Sequence, residues 1–252
     1  MRIIPKFNFD IVTYSKEISV IEDLMYNSKN SKKETNEILY EKYPELNNLK
    51  FNMNDILNEK QVHIQLESNL KKDFFNNMLS IMKVLKRYEA EWEKIRQEVL
   101  IQLSIDMDIE WEQDIISVIV GSVPMCPRWL DTYTFYVPTY LENFNEIALH
   151  ECCHFIFVHK CKNIFNGINE SYFEYPRIHW ILSEVLIDVI LNNFRYTRFV
   201  KKEIKAYDYF YDLQGKNIVE EINKIYYIGN SMKEKIVNCM EYIIKNNIKS
   251  LI

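Results

Sequence analysis

Between Ile147 and Val158 the chain reads Ile-Ala-Leu-His150-Glu151-Cys-Cys-His154-Phe-Ile-Phe-Val, and this stretch constrains the fold more than any other. A run this apolar is built for burial, yet it carries two imidazoles and a carboxylate that must be compensated once water is removed. On a helix, His150 and His154 are four residues apart and project from one face, so both rings can reach one atom, and Glu151 sits beside them. A zinc ion with a nearby general base fits that arrangement.

Some thirty residues later, His179-Trp-Ile-Leu-Ser-Glu184-Val-Leu-Ile-Asp188-Val-Ile-Leu191 reads as a second buried helix, with Pro176 expected in its first turn. Glu184 and Asp188 are again four apart on one face, surrounded by Leu182, Val185, Leu186, Ile187, Val189 and Ile190. Two like charges so placed repel and lose hydration, a cost of several kcal/mol unless a cation or strong donors stand opposite. Taken alone, the simplest partner is an arginine such as Arg177 or Arg195. Taken with the first helix, the deficits cancel: Glu184 supplies a third metal ligand, and Asp188 accepts a hydrogen bond from the free ring nitrogen of a zinc-bound histidine.

Together, His150-Glu151-Cys152-Cys153-His154 and Glu184-Val-Leu-Ile-Asp188 resemble the gluzincin metallopeptidases, the thermolysin-like group, in which a His-Glu-x-x-His helix is followed by a helix bearing Glu-x-x-x-Asp. The resemblance covers about 114–194. It implies that His150, His154 and Glu184 bind Zn2+, that Glu151 is the base, and that Asp188 orients His150. It also implies a small sheet ahead of the motif helix, whose edge strand holds extended substrate. Phe157 and Lys160 stand where a metzincin has Gly and a third His, which excludes that branch. The family stabilises its oxyanion with His and Tyr, for which His179, Tyr172, Tyr175, Tyr207, Tyr209 and Tyr211 are the candidates here.

The rest of the chain is read around these helices. Four Gly and six Pro are few for 252 residues, which favours helix. Residues 1–14 alternate weakly and suit a strand or an extended arm; a loop follows at Asn27–Lys33 and a break at Pro44. The stripe Met78, Ile81, Leu85, Tyr88, Trp92, Ile95 and Val99 predicts one long helix over 71–103, packed on its own domain. Strands are expected at 115–120, ended by Gly121, and at 132–137, stopped by Pro138. Asn143 or Asn145 caps the motif helix, a loop occupies 160–175, and a final helix runs over about 231–247. The fold class is therefore α+β and predominantly helical, with a small sheet next to the motif helix and the glutamate helix. Its expected parts are a helical lobe over 1–110, a zincin-like core over 111–195 and a helical subdomain over 196–252.

Charge and cysteine usage narrow the function classes. A formal net charge of -5 with no basic block gives no reason to expect nucleic acid or an anionic membrane as partner. Neither apolar helix is long enough to span a bilayer, and the first residues lack a signal-like apolar run, which points to the cytoplasm. Five cysteines without framework spacing suit a reducing compartment, with adjacent Cys152 and Cys153 read as small buried hydrophobes. His159 is expected near a helix end and His63 at the surface. The function these features support is a zinc-dependent peptidase acting on peptide or protein substrates. The alternative is a zinc-containing binding or regulatory protein on the same scaffold, which would need the ligands but not Glu151.

Overall fold

The computed structural model of the chain describes residues 3–27, 32–44, 46 and 59–252. Its elements are β1 (Lys6–Ile11), α1 (Tyr14–Asn27), α2 (Lys32–Lys42), α3 (Glu59–Trp92), α4 (Arg96–Asp106), β2 (Ile115–Gly121), β3 (Arg128–Trp129), β4 (Thr134–Pro138), α5 (Phe144–Ile164), α6 (Ile178–Leu191), α7 (Phe194–Thr197), α8 (Ile218–Ile228) and α9 (Met232–Lys245). The architecture is predominantly helical with one four-stranded sheet in the order β1-β2-β4-β3. β1 and β4 run parallel to β2, and β3 pairs antiparallel with β4 at the opposite edge.

The period-two pattern of the strands decides which layer each side chain joins. Val118 is level with Phe9 and Phe135, and Val120 with Ile11 and Val137, so these residues share one face. They meet the main core, which includes Phe144, Ala148 and Phe155 of α5 together with α6, α8 and α9. Tyr136 points the other way, into a smaller core with Ile18 and Ile21 of α1 and Leu39 of α2. The sheet is thus a partition with helices on both sides, and α5 lies against its larger face. Phe155 and Phe157 are almost fully buried, each worth about 1.5–3 kcal/mol of transfer free energy.

Several expectations shift. The stripe over 71–103 forms two helices, α3 and α4, interrupted at 93–95 without Gly or Pro. Tertiary contacts set the break: Trp92 is held under Phe7 and Phe144, while α4 turns so that Val99, Leu100 and Leu103 enter the core. Trp111 Nε1 donates to the Leu100 carbonyl at 2.9 Å, tying α4 to the chain beyond it. α5 extends to Ile164, through the start of the expected loop, because Cys161 is buried and continues the apolar face. Pro176 precedes α6 rather than lying in its first turn, and Arg177 is the N-cap. β3 was not foreseen, β4 begins two residues later than expected, and β1 confirms a strand near the N-terminus. Residues 28–31 of the expected Asn27–Lys33 loop lie outside the described residues. The expected boundary at 110 runs through shared structure, since β1 belongs to the sheet and α4 to the main core.

At the C-terminal end the local signals hold. Ser231 accepts from the Glu234 backbone N–H at 3.2 Å, and the Glu234 carboxylate accepts from the Asn230 N–H at 2.9 Å, a reciprocal cap that starts α9. Asn217 caps α8 by accepting from the Glu220 N–H at 3.0 Å. Among the described residues no helix is long and apolar enough to cross a membrane.

Candidate metal centre

α5 and α6 are apolar on nearly every side, which forces both into the core and brings their few polar side chains face to face. Asn143 occupies the N-cap of α5, without a side-chain capping bond, and Glu146 in the first turn accepts from the Lys201 and Lys202 N–H groups. One turn further, the Nε2 atoms of His150 and His154 stand 2.9 Å apart, and His154 Nε2 is 3.5 Å from Glu184 Oε1. One donor atom from each of the three residues lies within 4.8 Å of the others. Metal–ligand bonds of about 2.0–2.1 Å in tetrahedral geometry place ligand atoms roughly 3.3 Å apart; the two His154 distances, 2.9 and 3.5 Å, bracket that value, and the third pair lies within 4.8 Å. The cluster could hold a metal ion.

Burial prepares these groups for that role. It lowers the His150 pKa to about 3, with the Arg128 charge adding to the effect. It holds His154 well below the ordinary range, with Arg128 and His150 contributing after burial. Both rings are thus neutral and keep a lone pair, the form a metal needs. Burial also pushes Glu151 up to about 7; Arg128 opposes that rise and Glu184 reinforces it. Glu151 Oε2 is buried without a well-formed hydrogen bond, its nearest charged partner being Arg128 Nη1 at 3.5 Å. Glu151, His154 and Glu184 are buried, whereas His150 and Arg128 are half-buried, so the site opens on their side.

The cation opposite Glu184 is Arg128, not Arg177 or Arg195. Arg128 Nη2 donates to Glu184 Oε1 at 2.7 Å, and Nη1 lies 3.5 Å from Glu151 Oε2. Arg195 instead pairs with Asp106, and Arg177 bonds Ser171 and stacks on Tyr172. Burial works against the Arg128 charge, but Glu184 and Glu151 more than offset it and hold its pKa above the ordinary value. Sequence reasoning missed this residue because its surroundings, some twenty residues upstream of the motif, read as a Pro-flanked loop, whereas the structure places it on β3. A cation in a segment that feeds a sheet edge beside a His-Glu-x-x-His helix was the available signal.

Asp188 also sits elsewhere than expected. Its oxygens accept from the Asn192 side chain at 3.0 Å, the Ala206 N–H at 3.0 Å and the Tyr211 hydroxyl, and make no hydrogen bond or ion pair with either imidazole. The carboxylate ties the end of α6 to the chain at 204–211, so its burial is answered by donors rather than by a histidine. That bond also commits Tyr211. His179 lies among Phe165, Tyr172 and Phe173, and Tyr175 packs edge-on against Trp180. Tyr207 lies near enough to Arg128 to add slightly to the hold on its charge, and its ring stacks on Tyr209.

The lone histidines and the cysteines fall outside the donor cluster. His63 is half-exposed and bonds Glu22 at 2.8 Å, while His159 keeps a buried Nδ1 without a partner. All five cysteines are free thiols, and Cys152, Cys153, Cys161 and Cys239 are buried, as small hydrophobes would be. Cys126 lies close enough to Glu151 for that carboxylate to add to the burial that pushes its thiol up to about 12. No known protein family, curated protein or solved structure matches this chain.

Proposed function

We propose that the chain is a zinc-dependent peptidase whose ion is held by His150, His154 and Glu184 and whose general base is Glu151. The convergence of three donor atoms within 4.8 Å, supplied by two separate buried helices, carries this reading. The resemblance of the paired motifs to the gluzincins gives the reaction class, and the helical architecture with a small sheet beside α5 is compatible with it. Five unpaired thiols agree with a cytoplasmic setting.

A zinc ion with three protein ligands supplies a Lewis acid that polarises a carbonyl and acidifies a water. The remaining work falls to side chains. His150 and His154 bind as neutral rings, so no imidazole proton has to leave at neutral pH. Glu151, raised towards neutrality and with Oε2 held only by the 3.5 Å ion pair to Arg128, takes a proton from the attacking water and returns it to the leaving amine. On this reading a peptide would approach from the half-buried side of the site, at His150 and Arg128, where β3 forms the edge of the sheet.

The Arg128–Glu184 hydrogen bond favours a second reading, a metal-free helical protein in which this ion pair is purely structural. Retention of Glu151 argues against a third, a structural zinc site, which needs no base. Digestion of a peptide library by wild type and Glu151→Gln separates them. Cleavage that disappears in the variant while zinc stays bound supports the peptidase; undiminished cleavage refutes the assigned base.

A further inference from the structure

We infer that Arg128 is a built-in competitor of the metal for Glu184, a positioning residue that keeps the site ion-paired and lowers its affinity for the ion; the inference rests on the metal site proposed above. The oxygen that receives the Arg128 Nη2 hydrogen bond at 2.7 Å is Glu184 Oε1, the same atom that lies 3.5 Å from His154 Nε2 and so faces the donor cluster. Guanidinium and metal ion therefore address one atom from adjacent directions, and both are cations.

Arg128 cannot escape this role by losing its proton, because a guanidinium remains charged throughout the accessible pH range. Nor is it a freely swinging surface side chain. Only 18% of it is exposed, and its backbone is fixed by antiparallel pairing of Arg128 with Phe135 and by the Tyr136 N–H bond to the Pro127 carbonyl at 2.9 Å. The edge strand thus aims a permanent positive charge at the two carboxylates, Glu184 and Glu151, from a fixed base. Without the ion, that charge relieves their mutual repulsion. With an ion on the three donors it opposes a second cation, so loading requires the Arg128 fork to turn away from Glu184.

Chelator-competition titrations of zinc into full-length wild type, Arg128→Gln and Arg128→Lys test this. Arg128→Gln should bind zinc about tenfold tighter or more, and Arg128→Lys should stay close to wild type. In chelator, Arg128→Gln should melt below wild type and then gain more from added zinc, a pattern that a merely structural ion pair does not produce. Equal or weaker zinc binding by Arg128→Gln overturns the inference. In wild type, needing no variant to fold, the Arg128 guanidinium NMR signal should move on zinc addition; an unmoved signal also overturns it. Zinc binding that His154→Ala abolishes but Arg128→Gln leaves unchanged removes this inference alone, whereas no zinc binding by any of the proteins removes the metal site with it.

Discussion

The Nε2 atoms of His150 and His154 face each other at 2.9 Å, with the two rings inclined at 68°. Two neutral imidazoles use that arrangement for at most one hydrogen bond, and only when one of them is protonated on Nε2. A divalent ion uses both lone pairs. Zinc at hundredfold excess over its Kd should therefore stabilise chelator-treated protein by about 2.7 kcal/mol. For a chain of this size that corresponds to a rise in melting temperature of roughly 5–10 °C. Scanning calorimetry of wild type and His150→Ala checks it, and an equal rise in the variant would count against the ligand assignment.

Gly121 is the last residue of β2, and a Cβ there would sit 2.0 Å from the Tyr136 hydroxyl oxygen and 2.5 Å from Glu17 Oε2. Neither atom is the free end of a mobile side chain, because the two are hydrogen-bonded to each other at 2.8 Å. Gly121→Ala should destabilise the fold by about 3 kcal/mol. Urea unfolding measures the loss, and Tyr136→Phe in the same chain should recover part of it by removing the nearest atom. A neutral Gly121→Ala would show that Tyr136 and Glu17 do not crowd the end of β2 as closely as described.

Glu17 is 3% exposed and accepts from the Ser122 N–H at 3.0 Å, the Ser122 hydroxyl and the Tyr136 hydroxyl. Burial is the largest influence on it and raises its pKa above 4.5 despite those donors. Between the unfolded and the raised folded pKa, the folded state binds more protons than the unfolded one. The contribution of Glu17 is therefore fully present below pH 4.5 and is lost as pH rises through the folded value. Comparison of urea midpoints between pH 5 and pH 8 should show wild type losing ground relative to Glu17→Gln on going to the higher pH. A constant difference between the two proteins would contradict the shift.

The parts of the site that were legible in sequence are those written within one helix. His150 and His154 share a face because four residues make about one turn, and the apolar run around them fixes burial. Glu184 was found by the same reasoning on α6, and the structure brings it to His154. What sequence could not supply was the partner of each carboxylate, since that depends on how separate elements meet. Arg128 reaches Glu184 from a two-residue strand too short to register as a pattern, and Asp188 is satisfied by Ala206 and Tyr211 from a segment without periodicity. The break between α3 and α4 was hidden for a related reason: the stripe from Met78 to Val99 continues across it, and only the packing of Trp92 and Leu100 decides where the helix stops.

The metal content of the purified protein tests the central claim most directly. Elemental analysis of wild type, His150→Ala and His154→Ala should give about one zinc per chain for wild type and essentially none for either variant, with all three proteins folded by circular dichroism. Folded wild type that holds no zinc after supplementation, or variants that retain it in full, would contradict the assignment of His150, His154 and Glu184 as a metal centre.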